Sequence, residues 1–169
     1  MLTKYQVATA AEAIAAAQFA RLGCNVAVQY GANQPEYDLM ISDAQQRTIP
    51  ISIKGNQTGS WLLAPRMIES NHATIDAWLE THKPRTVYCL VQFKGVELDQ
   101  MPRVYLARPG EIAQRLKSAR GGKGHGALLE NRQWKAGKAA GSGTIDRVPD
   151  EWRLTAQRLA EFFDHAAST

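Results

Sequence analysis

The chain has 169 residues, room for one ordinary domain with a sizeable core. With 44% apolar and 21% charged residues its composition excludes an unfolded chain, and no apolar run approaches the ~18 residues of a membrane span. The only cysteines, Cys24 and Cys89, form no CxxC pair, which argues against a disulfide framework or a zinc–thiolate site, and Cys89 reads as a small core residue.

In chain order, Thr9–Leu22 reads as a helix with Ala11, Ile14, Ala15, Phe19 and Leu22 as its apolar stripe and Gly23 as its stop. Glu12 and Gln18 interrupt this alanine-rich stretch, so it makes a poor signal peptide, and the cytoplasm is the expected compartment. Glu12 sits at the border of the stripe. A strand is expected at Asn25–Tyr30, then a loop marked by Gly31, Asn33 and Pro35. Tyr37–Ser42 and Thr48–Lys54, joined by a turn around Ala44–Arg47, read as a β-hairpin, with a further strand at Trp61–Leu63. Asn71–His82 is predicted helical with Ile75, Trp78 and Leu79 inward. Thr86–Phe93 is a buried strand, and Arg103–Ala107 is another. Pro109 opens a helix through Ile112, Ala113 and Leu116. The glycine-rich stretch to Gly143 has no period. A last helix is expected over Asp150–His165, burying Trp152, Leu159 and Phe163. The whole reads as one domain, residues 1–169, of the α/β class, with a mixed central sheet flanked by helices.

The hairpin has a register that can be worked out. Side chains alternate faces along a strand, and opposite residues share a face. Tyr37, Leu39 and Ile41 alternate with Asp38, Met40 and Ser42; Ile49, Ile51 and Ile53 alternate with Pro50, Ser52 and Lys54. Burying both apolar rows together pairs Leu39 with Ile51 and Asp38 with Ser52, and makes Lys54 the diagonal neighbour of Asp38. Taken alone, Asp38 and Lys54 read as one exposed ion pair, worth about 0–1 kcal/mol.

Glu12 on the first helix, Glu36-Tyr37-Asp38-Leu39 and Ile51-Ser52-Ile53-Lys54-Gly55 follow each other in the order and spacing of the PD-(D/E)XK nuclease superfamily. The chain resembles that superfamily, which includes restriction endonucleases and archaeal Holliday junction resolvases. The likeness covers Thr9–Trp61, about a third of the chain, and the Val104–Pro109 run and closing helix are similar to its small members. The resemblance implies a restriction endonuclease-like fold and metal-assisted hydrolysis of DNA phosphodiesters, with RNA left open as a substrate. It implies magnesium or manganese at Asp38, Glu12 as a second or outer-shell ligand, and Lys54 as the stabiliser of developing charge. A twofold dimer would suit cutting of both strands.

Ser52 departs from the pattern by standing where the superfamily has its second acid. A hydroxyl ligates magnesium poorly; the Ile53 carbonyl, waters, Glu36 or Glu69 are the available substitutes. The alternative is a degenerate nuclease fold that binds nucleic acid, or a protein partner, without cutting.

Charge is concentrated later in the chain. Between Ala119 and Arg147 lie six basic residues, Arg120, Lys123, Arg132, Lys135, Lys138 and Arg147, against Glu130 and Asp146, an excess equal to the chain's whole net charge of +4. Such a segment either tracks a phosphate backbone or is a solvated loop, and Arg120, Lys123, Lys135 and Lys138 are the candidate nucleic-acid contacts. His72, His82, His125 and His165 lack metal-binding spacing, and the Gly121–Gly126 run lacks the P-loop pattern. Gln57 reads as a turn residue with substrate contact as the alternative. Trp134 reads as a loop anchor, with base stacking as the alternative.

Overall fold

The computed structural model describes residues 2–29, 37–64, 70–135 and 143–166. Helix α1 runs Lys4–Arg21, five residues earlier than predicted, because the Thr3 hydroxyl caps the Gln6 N–H while the Gln6 side chain returns to Thr3. Its Ala11, Ala15 and Phe19 are fully buried, as the apolar stripe requires.

The strands are β1 (Asn25–Val28), β2 (Leu39–Ser42), β3 (Thr48–Asn56), β4 (Ser60–Leu62), β5 (Val87–Gln92) and β6 (Arg103–Ala107), with helix α2 (Asn71–Glu80) between β4 and β5. A five-stranded sheet has the order β1-β2-β3-β5-β6. Only β3 and β5 run parallel within it; the other neighbours are antiparallel. The observed register pairs Leu39 with Ile51 and Ile41 with Ile49, as the alternation demands.

Two cores lie on opposite faces of this sheet. Leu39, Ile41, Ile49, Ile51, Ile53, Val87, Cys89 and Val91 pack against Phe19 of α1 and Leu159, Phe162 and Phe163 of the last helix. Tyr88, Leu90 and Tyr105 point the other way, into a core with Ile75, Ile112, Leu116 and Trp61. The period of two assigns β5 to both cores, which explains why every one of its residues is buried. The chain is thus a single α/β domain with a mixed central sheet flanked by helices.

The glycine-rich stretch, read from the sequence as aperiodic, holds more structure than expected. Helix α3 (Pro109–Gly122) loses helical geometry at Ala119–Gly121, and three short strands follow: β7 (Ala127–Leu129), β8 (Asn131–Gln133) and β9 (Ile145–Arg147). β7 pairs with β4, and β8 pairs with β9. The predicted last helix is divided: a single 3₁₀ turn at Asp150–Trp152 precedes α4 (Ala156–Ala166). Arg153 is extended between them, because it bridges to Tyr105 and the Leu154 N–H donates to the Val104 carbonyl. A tertiary strand contact there overrides helical periodicity. The predicted Tyr30, Gly31, Asn33 and Pro35 positions lie outside the described residues, as do Glu36, Glu69 and Lys138. No helix among the described residues is long and apolar enough to cross a membrane.

Candidate functional site

The hairpin sends its isoleucines to the α1–α4 core, so Ser52 and Lys54 face the opposite side of the sheet, where they stand beside Tyr88 and Leu90 of β5. Asp38 precedes β2. Its N–H donates to the Ile51 carbonyl at 2.8 Å and its carbonyl accepts from the Gln29 N–H, which extends the ladder by one residue. Its carboxylate Oδ2 accepts the Ile53 N–H at 2.5 Å. A backbone amide, rather than a mobile side chain, therefore fixes the carboxylate. Lys54 is exposed and forms no ion pair among the described residues; its Nζ lies 6.0 Å from the centre of the Tyr88 ring. The exposed Asp38–Lys54 ion pair, the plainest sequence reading, does not form.

Glu12 arrives from the other layer. Helix α1 crosses β3 at Gly55, where an added Cβ would meet the Ala11 Cβ and the Val7 carbonyl oxygen, each at 2.8 Å. This close crossing brings Ala8 and Glu12 to the rim of an open cleft of about 350 Å³, whose lining also includes Asp38, Lys54, Asn56 and Trp61. Trp61 donates its indole N–H to the Lys54 carbonyl at 2.8 Å, so the wall and the strand carrying the lysine are tied together.

The electrostatics agree with one shared site. Burial first, and then the charge of Asp38, push the Glu12 carboxyl above its ordinary value, while Lys54 works in the opposite direction. Tyr88, buried beneath the site, is pushed up to about 12 by burial and by Asp38. It stays a neutral phenol at physiological pH. Cys89 is likewise raised by burial, consistent with an inert core thiol.

Ser52 is buried at 7% exposure and its hydroxyl has no hydrogen-bond partner among the described residues. Two carboxylates facing one open cleft, one of which raises the proton affinity of Glu12, suit a hard divalent cation that keeps several waters. No group of three acidic, histidine or cysteine ligands occurs among the described residues.

Other sequence candidates fall elsewhere. Gln57 donates to the Leu2 carbonyl at 2.7 Å and accepts the Leu2 N–H, pinning the start of the chain. His72, His82 and His125 each contact a backbone carbonyl, of Gly122, Trp78 and Ala127 respectively. Trp134 donates to Asp146 at 2.6 Å, which makes it an anchor. Arg120 stacks near that ring, while Lys123 ends α3 and Lys135 follows β8, both exposed. Trp61, Tyr88 and Asn56 were missed by sequence reasoning. Tyr88 and Trp61 look like ordinary core residues in sequence; only the folded chain reveals that Trp61 borders the cleft and that the Tyr88 ring lies near Lys54. Comparison with known proteins returns no matching family model, no matching curated protein and no matching solved structure.

Proposed function

We propose that this chain is a restriction endonuclease-like protein of the PD-(D/E)XK kind that hydrolyses DNA phosphodiesters with magnesium. One observation carries the reading: Asp38 is fixed by the Ile53 amide, Lys54 stands unpaired beside it, and Glu12 meets both across one open cleft. The order of α1, β1 and the β2–β3 hairpin, with β3 parallel to β5, supports it further.

Asp38 and Glu12 would hold the metal, which when bound lowers the pKa of a water and neutralises phosphate charge. Lys54 supplies a positive charge toward the scissile phosphate, strengthened by the partly desolvated cleft wall. Asp38 keeps its geometry through the Ile53 amide. Glu12 enters with raised proton affinity, which a neighbouring cation reverses.

The buried Ser52 favours a second reading, a fold that binds nucleic acid without cutting, because the slot that carries the second acid in the superfamily holds a neutral hydroxyl. Nicking of supercoiled plasmid with magnesium or manganese separates the two. The nuclease reading expects wild-type nicking, lowered on the order of 100-fold or more by Asp38→Ala or Lys54→Ala. Nicking that survives Asp38→Ala overturns it. Absence of nicking, with DNA binding retained, supports the second reading. Ser52→Asp should tighten magnesium binding in calorimetry, since a third carboxylate beside Asp38 and Glu12 holds a hard cation better than two.

A further inference from the structure

The basic region has an internal order that its composition does not convey. In the β8–β9 ribbon Arg132 stands directly opposite Asp146, yet the Asp146 carboxylate turns to other donors. It accepts the Trp134 indole N–H at 2.6 Å, an Arg115 guanidinium N–H at 3.0 Å and the Arg120 backbone N–H at 3.0 Å. Asp146 is only 4% exposed. It is therefore a buried pin whose charge is taken up by Arg115 and by two uncharged donors.

The pin fixes two further cations. The guanidinium carbons of Arg120 and Arg132 lie 5.2 and 5.3 Å from the centre of the Trp134 ring. Arg120 adopts φ 57° and ψ 41°, a left-handed backbone that a non-glycine residue rarely takes, and its N–H donates to Asp146 there. A residue held in a strained conformation by a buried carboxylate is fixed in direction. Arg132 is exposed and has no ion pair among the described residues. Arg guanidinium groups are suited to phosphate because their fork matches two oxygens, and the ring beside Arg132 limits its rotation without neutralising it.

The ribbon follows β7, which pairs with β4, the strand that lines the cleft through Trp61 and Leu62. β7 pairs with β4 through Ser60 and Leu129, and the Glu130 N–H donates to the Gly59 carbonyl. Arg132 follows three residues after Leu129, roughly 10 Å of extended chain.

We propose that Arg120 and Arg132, set on the Trp134 ring by Asp146, form a preorganised platform for the phosphates of a nucleic-acid backbone. This deepens the proposed function and rests on nucleic acid being the ligand, though not on its being cut. Asp146 and Trp134 act as positioning residues; the two guanidinium groups make the contacts.

The test is fluorescence anisotropy with a fluorescein-labelled DNA duplex of mixed sequence, in EDTA, over a series of salt concentrations. Arg132→Ala and Arg120→Gly should each weaken binding several-fold and reduce the slope of log K against log[salt] by about one. Glycine is chosen at 120 because it accepts the positive φ. Arg21→Ala, at the exposed end of α1, removes the same charge elsewhere and should leave the slope unchanged. Asp146→Asn should lower both affinity and slope in protein shown by its melting curve to be folded, and Trp134→Phe should retain more binding than Trp134→Ala. Loss in the Arg120 and Arg132 variants no greater than in Arg21→Ala overturns the platform, as does a wild type that binds no DNA in low salt. A protein that never nicks plasmid but binds through Arg120 and Arg132 keeps the platform and removes the nuclease reading alone.

Discussion

Two carboxylate-centred regions of this molecule are built in opposite ways. At the cleft, Glu12 and Asp38 share an open space; burial and mutual repulsion raise the proton affinity of Glu12, and Lys54 stands nearby without pairing. At the ribbon, burial likewise opposes the charge of Asp146, but the bonds from Trp134, Arg115 and Arg120 outweigh it, and its carboxyl is held below the ordinary range. A carboxylate saturated with donors stabilises the chain it joins. Carboxylates left in tension stabilise little by themselves and gain most from a ligand. The contrast sets an acid whose bonds hold the fold together apart from acids that a bound cation would stabilise.

The comparison can be broken most completely at the floor of the hairpin. Ile51 is fully buried between the ladder and the α1–α4 core, so Ile51→Asp places an unpaired charge there. A loss of more than about 4 kcal/mol is expected, most of the stability of a marginal domain, and a thermal melt or circular dichroism spectrum checks it. Retention of a cooperative melt would refute the register that places Asp38 and Lys54 together.

The saturated pole comes next. Asp146→Asn keeps the shape but loses the charge opposite Arg115, and a destabilisation of roughly 1–3 kcal/mol is expected at neutral pH in urea unfolding. The sign with pH follows from the lowered carboxyl. Because the folded value lies below the unfolded one, the contribution is fully present above the unfolded value of about 3.9 and is lost as pH falls through the folded value. The gap between wild type and variant should therefore close in acid.

The smallest effect is at the strained pole and has the opposite sign. Glu12→Gln removes repulsion with Asp38 and should slightly raise the melting temperature at pH 7. The raised folded value means that the cost of the charged Glu12 appears as pH rises through it, so the gain should vanish below the unfolded value of about 4.3. Magnesium added to wild type, but not to the variant, should narrow the difference. A Glu12→Gln protein that melts lower than wild type would remove the tension from this region.

The alternating residues of the hairpin carried its register in plain view: Leu39, Ile41, Ile49 and Ile51 allow one parity, and the ladder has it. Buried β5 was equally legible from its unbroken apolar run. The Asp146 network was not, because its partners lie 12, 26 and 31 residues away and its strands have three residues each, too short for a period to appear. The start of α1 was readable in principle from the Thr3-x-x-Gln6 capping box. The break at Arg153 was not, since a contact with Tyr105 in another strand creates it. In the cleft, Asp38 and Lys54 follow from local alternation, whereas Trp61 at its wall and Tyr88 near Lys54 arrive through pairings that no local pattern encodes.

The crossing of α1 over Gly55 has a consequence for evolution of the cleft as much as for its shape. With the Ala11 Cβ and the Val7 carbonyl both 2.8 Å from where a side chain would begin, position 55 acts as a shim of zero thickness between two layers. Any larger residue lifts the helix and carries Glu12 away from Asp38, so one methyl group at 55 would retune the distance between two acids that it never touches.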